Sequence, residues 1–177
     1  RPTPPPPREF AEALAAAKPP GPLASWFRKD PRRTIAVRHF AGPSSFRASL
    51  QHLRVAHLTD LHIGNNAPDG RIIAALRAVN EASPDLVAIT GDFVTSRRDP
   101  YDRVPQLLCA LRAPAVAVLG NHDHWSNAHE VQSRLERVGI AVLRNANTSF
   151  RFNGADFTCV GIDDATVRRD DVDAAFL

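Results

Sequence analysis

Between Leu53 and Leu143, short apolar runs alternate with segments of helical period. Leu53–Thr59, Leu86–Thr90 and Val116–Leu119 are brief and largely aliphatic or β-branched, the composition of strands buried on both faces. After the first of them, Arg71–Ala82 places Ile72, Ile73, Leu76 and Val79 on one helical face. After the second, Tyr101–Leu111 does the same with Val104, Leu107, Leu108 and Leu111. Ser83-Pro84-Asp85 stops the first helix, and Pro114 resets the chain before the third strand. Asn127–Val138 predicts a further helix with Val131, Leu135 and Val138 inward, and Ile140–Leu143 a short fourth strand. This β-α-β-α-β-α-β order requires parallel pairing through right-handed crossovers.

The flanks differ. Thr148–Asn153 and Asp156–Gly161 surround Asn153-Gly154, a strong hairpin signal. Asp163–Leu177 is acidic and reads as helical near its end. Arg33–Phe40 alternates like an edge strand, and Ala41–Gln51 reads as loop. Before it, Pro2, Pro4 to Pro7, Pro19, Pro20 and Pro22 surround one short helical run, the pattern of an extended linker. The domain organisation is therefore residues 1–32 as a proline-rich basic arm and residues 33–177 as an α/β domain.

Composition changes this picture in few places. No apolar run approaches the roughly 20 residues needed to cross a bilayer. Residues 1–54 hold 10 Lys or Arg against 3 Asp or Glu, and the remainder 12 against 16, so the net charge of +3 is a basic front on an acidic body. A nucleic-acid binder needs its basic surface at the working site, so no specific nucleic-acid partner is indicated. The front is suited to peripheral contact with an acidic membrane, or to being a solvated arm. The expected location is the cytoplasm or the periphery of its membrane. Methionine is absent even from position 1, so an upstream leader or anchor is compatible with the sequence. Cys109 and Cys159 lie in apolar contexts and read as small buried hydrophobes.

Candidate chemistry gathers where the strands end, which is where open α/β sheets place their ligands. The first strand runs into Asp60-Leu61-His62, the second into Gly91-Asp92, and the third into Gly120-Asn121-His122-Asp123-His124. Asp60 and His62, two apart in an extended or turning segment, can offer a carboxylate oxygen and an imidazole nitrogen to one cation. Asp92 can bridge two ions, Asn121 can add an amide oxygen, and mixed oxygen and imidazole donors suit Mn, Fe or Zn. Two such ions can clamp a phosphoryl group, and His122 beside them can protonate a leaving oxygen. Gly91 and Gly120 permit positive φ where the chain must double back. Asp123 and His124 either orient ligands or are exposed loop residues. His57 reads as packed and hydrogen-bonded, and His39, His52 and His129 as surface residues.

Thr59-Asp60-Leu61-His62, Thr90-Gly91-Asp92 and Leu119-Gly120-Asn121-His122-Asp123 together resemble, in order and spacing, the motifs of the calcineurin-like metallophosphoesterases, most closely their bacterial phosphodiesterase-like branch. The resemblance implies a sandwich of two mixed β-sheets flanked by helices around a dinuclear centre. It implies Asp60 and His62 on the first ion, Asp92 bridging, Asn121 on the second ion and His122 as proton donor, with a metal-bridging hydroxide attacking phosphorus. A small phosphorylated or lipid-linked substrate follows, because members of this branch include hydrolases of lipid-linked nucleotide pyrophosphates. The family's later histidine ligands are missing, since no histidine follows His129. Truncation on the C-terminal side is expected to be the reason, rather than evolved loss, so the chain by itself is expected to hold metal poorly, to be inactive and to leave a bare sheet edge. The competing reading is a catalytically inactive scaffold on the same fold. A Rossmann-type nucleotide binder is rejected: the first turn has no glycine-rich phosphate loop and carries negative charge where pyrophosphate would sit.

Overall fold

The computed structural model describes residues 35–42, 50, 52–64 and 69–177. The arm expected over residues 1–32 lies outside these, as does most of the loop expected over Ala41–Gln51. Ile35 to Phe40, expected as part of an edge strand, forms none. Its apolar residues have no sheet to cover, and Val37 and Phe40 are exposed.

The predicted βα alternation is present as β1 (Val55–Thr59), α1 (Asp69–Ala82), β2 (Leu86–Thr90), α2 (Arg103–Leu108), β3 (Ala115–Val118), α3 (Asn121–Ser126), α4 (Ala128–Glu136) and β4 (Ala141–Val142). The four strands pair in parallel in the order β1-β2-β3-β4, with Val55 opposite Leu86 and Val87 opposite Ala115. Because side chains alternate along each strand, β2 and β3 divide their apolar residues between two layers. Val87, Ile89, Ala115 and Ala117 face the helices, where Ile72, Leu76, Val104, Leu108, Val131 and Leu135 close the main core. Leu86 and Val116 face the other way.

That second face is covered by the antiparallel hairpin β5 (Ala146–Phe152) and β6 (Ala155–Gly161), which turns on Asn153 and Gly154 as expected. Phe150 and Phe157 stack at 5.5 Å and pack, with Cys159, against Leu86, Val116 and Leu143. The molecule is thus α/β, with the parallel sheet lying between the helices and the antiparallel hairpin sheet. At the edge strand β1, Val55 is half exposed and His57 is exposed, although His57 Nε2 bonds Thr90 Oγ1 at 2.8 Å. Both cysteines are free and half-buried rather than buried. The acidic end forms a 3₁₀ turn at Ala165–Val167 and only one helical turn, α5 (Val172–Ala175).

Phe93 anchors this core directly behind the strand-end residues. It is fully buried, and its carbonyl accepts the Ile63 amide at 2.7 Å. Phe93→Ala is expected to cost about 3–5 kcal/mol of unfolding free energy, measurable by urea denaturation.

Candidate metal centre

The chain reverses sharply at the ends of β1 and β2. Asp60 (φ 52°), His62 (φ 46°) and Asp92 (φ 52°) all take left-handed backbone, at a cost of about 1–2 kcal/mol each for a residue with a Cβ. Hydrogen bonds between the two turns hold them there: the His62 amide donates to the Asp92 carbonyl at 2.9 Å, and Ile63 to Phe93. The outcome is convergence. One ligand atom from each of Asp60, His62 and Asp92 lies within 4.8 Å of the others.

Thr95, not singled out from the sequence, orients both nearby imidazoles. Its hydroxyl lies 3.2 Å from His62 Nδ1, while His62 Nε2 lies 3.9 Å from Asp92 Oδ2. Its carbonyl lies 2.9 Å from His122 Nδ1. A carbonyl only accepts, so His122 Nδ1 carries a proton and Nε2 is left for chemistry. The His122 ring stands edge-on to His62 and against Trp125, each with ring centres 5.1 Å away. In sequence the only mark of Thr95 is its place three residues after Asp92.

The third strand runs directly into a helix that the sequence did not reveal. Asn121 to Ser126 form α3, a helix with no apolar period, organised by its first turn. The buried Asp123 carboxylate reaches back to the Gly120 amide at 3.0 Å and across to the Val94 amide at 3.1 Å, an N-terminal capping bond that also ties β2's exit to β3's. Burial pushes its pKa up to about 6, with the Asp92 charge acting the same way against these bonds. Gly91 uses the freedom it has, at a positive φ of 62°, and Gly120 does not. Gly120 is required by space: a Cβ there would fall 2.3 Å from Asp92 Oδ1. The next residues follow from that approach. Asn121 opens α3, and the His122 amide donates to Asp92 Oδ1 at 3.0 Å.

His124 is half-buried rather than a free loop residue. Its Nε2 lies 2.6 Å from Asp163 Oδ1, and Arg144 Nε donates to Asp163 Oδ2 at 3.0 Å. Burial alone would raise the Asp163 pKa, but hydrogen bonds from His124, the Asp164 amide and Arg144 outweigh it and hold the carboxyl below its ordinary 3.8. A depressed carboxyl contributes stability that is present above the unfolded-state pKa and lost as pH falls through the folded-state value. Asp163→Asn should therefore lower unfolding free energy by about 1–3 kcal/mol at neutral pH. The gap from wild type should narrow as urea denaturation is repeated at increasingly acid pH. A gap independent of pH would refute this account.

Two carboxylates and an imidazole converging on one point are a donor set suited to a hard or borderline divalent cation, so the residues present fit such an ion. The family model for calcineurin-like phosphoesterases matches residues 53–171. Among curated proteins, the UDP-2,3-diacylglucosamine pyrophosphatase LpxG of Chlamydia trachomatis is 38% identical over 112 residues, 61% of this chain and 34% of that protein. A transmembrane protein with metallophosphoesterase domain from Danio rerio is 31% identical over 126 residues, 68% of this chain and 29% of that protein. A Moraxella catarrhalis protein named as a probable cyclic nucleotide phosphodiesterase is 33% identical over 108 residues, 55% and 38% of the two chains. The chain spans about a third of the length of these relatives.

Proposed function

This chain belongs to the calcineurin-like phosphoesterase family, and from that premise we propose that it carries one side of a two-cation centre that hydrolyses a phosphoester or pyrophosphate bond. The observation that carries the reading is the convergence of Asp60, His62 and Asp92 within 4.8 Å, on backbone held in a costly conformation. Asp60 and His62 would hold the first ion, and Asp92 would bridge to a second bound by Asn121. Mn, Fe and Zn suit these donors. Such ions, when bound, neutralise phosphoryl oxygens and lower the pKa of water.

The protein's own residues supply the rest. Thr95 fixes the His62 ring through Nδ1 and so leaves Nε2 as its ligand atom. The same residue holds His122 with Nε2 free, in position to give a proton to the departing oxygen. The Asp92 carboxylate accepts the His122 amide and so would keep that donor beside any cation it held.

Similarity to a pyrophosphatase of a lipid-linked nucleotide supports a small phosphorylated or lipid-linked substrate. Peripheral contact with a membrane through the basic front fits such a substrate. No helix among the described residues is long and apolar enough to cross a membrane. The test is hydrolysis of bis-p-nitrophenyl phosphate and p-nitrophenyl phosphate by the full-length protein with Mn(II), Fe(II) or Zn(II). Folded protein that is inert with every metal would leave the scaffold reading standing.

A further inference from the structure

Thr95 orients both imidazoles of the candidate centre, yet it is exposed and belongs to no helix or strand. Connections of that kind are the mobile parts of a fold unless something ties them down. Asp99 is the tie. It is buried, and one carboxylate oxygen, Oδ2, accepts both the Thr95 and the Ser96 amides at 2.8 Å. The Asp99 amide in turn donates to the Ser96 carbonyl at 3.1 Å and closes the turn. Bonds to a charged acceptor are the strong ones. They fix the Thr95 backbone, and with it the carbonyl that lies 2.9 Å from His122 Nδ1.

The same carboxylate is braced from its other side. Gly64, two residues after His62, comes so close that a Cβ there would fall 2.5 Å from the Asp99 carboxylate carbon. Gly64 is not at positive φ, so space and not conformation calls for glycine. Arg103, the first residue of α2, holds Gly64 there by donating from Nη1 to its carbonyl at 2.8 Å. Asp99 therefore stands between two strand-end segments. One carries His62, and the other carries the Thr95 hydroxyl that lies 3.2 Å from His62 Nδ1. A carboxylate that only closed a surface turn would need no glycine from the neighbouring strand end pressed against it.

We propose that Asp99 is a positioning residue for the candidate centre: wedged against Gly64, it holds Thr95 so that the His62 and His122 rings each keep one orientation. Its effect on turnover rests on the hydrolase reading, and its effect on the rings does not. Full-length protein with ¹⁵N-labelled histidine, in excess EDTA and at a pH where imidazole is neutral, is expected to show His122 as one tautomer protonated at Nδ1. The His122 signals are those lost in His122→Ala. Asp99→Ala should convert them to a mixture of tautomers, and Asp99→Asn, which keeps an oxygen for the two amides, should restore the wild-type pattern. Gly64→Ala removes no polar group and should give the same mixture by displacing the carboxylate. In Asp99→Ala that space is already open, so adding Gly64→Ala should change nothing more. Urea denaturation establishes which variants are folded, and Gly64→Ala decides the matter if Asp99→Ala is not. A single Nδ1 tautomer retained in either folded variant overturns the assignment, as does a mixture in wild type or an additive effect in the double variant.

Turnover supplies the second arm. In the Mn(II)-loaded full-length protein, Asp99→Ala and Gly64→Ala should each lower kcat for phenyl phosphate about tenfold or more. KM should change little, and Asp99→Asn should recover most of the loss. Altered His122 spectra with unchanged kcat would overturn the catalytic consequence. Wild-type protein that is inert with every metal would sink the hydrolase reading, and the spectra would still decide whether Asp99 sets the rings.

Discussion

Asp92→Asn is expected to abolish Mn(II)-dependent hydrolysis by the full-length protein while leaving it folded. Asp92 serves three partners at once. Its Oδ2 faces His62 Nε2, its Oδ1 accepts the His122 amide, and its carbonyl accepts the His62 amide. Asparagine keeps the backbone bond and nearly the same volume, so the fold should survive. It removes the negative charge that two cations would share, and its amide nitrogen cannot coordinate. Substitutions one shell further out typically cost 10–100-fold in metal affinity or activity, so loss of a bridging carboxylate should exceed about 100-fold. Parallel Mn(II) titration calorimetry should show the same loss in affinity. Unchanged turnover in a folded, Mn(II)-loaded Asp92→Asn protein would falsify the role given to this residue.

His122→Ala is expected to act on turnover and not on substrate binding, with kcat falling about 10²–10⁴-fold and KM little changed. The leaving group separates proton donation from mere packing. p-Nitrophenolate departs readily without a proton, so the deficit should be small for p-nitrophenyl esters and grow for phenyl and alkyl esters. The ring also packs on Trp125 and His62, and a purely structural role would produce one deficit for every leaving group. A slope of zero against leaving-group pKa would therefore count against His122 as the acid.

The regular part of this architecture could be read from the chain because pattern and packing agree there. Leu86–Ile89 is apolar throughout since both its faces are covered, by the helices on one side and the hairpin on the other. In α1, Ile72, Leu76 and Val79 are the buried stripe that their spacing predicts. The Asn153-Gly154 turn was equally legible because its positive φ values select those residue types. The misses have physical causes too. The helix Asn121–Ser126 has no apolar period to detect, since a carboxylate returning to the Gly120 amide organises its first turn instead of a hydrophobic face. Ile35 to Phe40 alternates but pairs with no strand, and Val37 and Phe40 stay exposed. Of the residues around the candidate site, Asp60, His62 and Asp92 were identifiable by type and position. Thr95 was not, because one of its two contacts is made by a backbone carbonyl that every residue possesses.

The left-handed turns at Asp60, His62 and Asp92 have an evolutionary consequence. Glycine adopts that geometry without penalty, so exchanging any of the three for glycine relieves local strain while deleting a donor. Laboratory evolution that rewards heat tolerance alone should drift toward such exchanges, and lineages that retain all three side chains are those in which chemistry is also under selection.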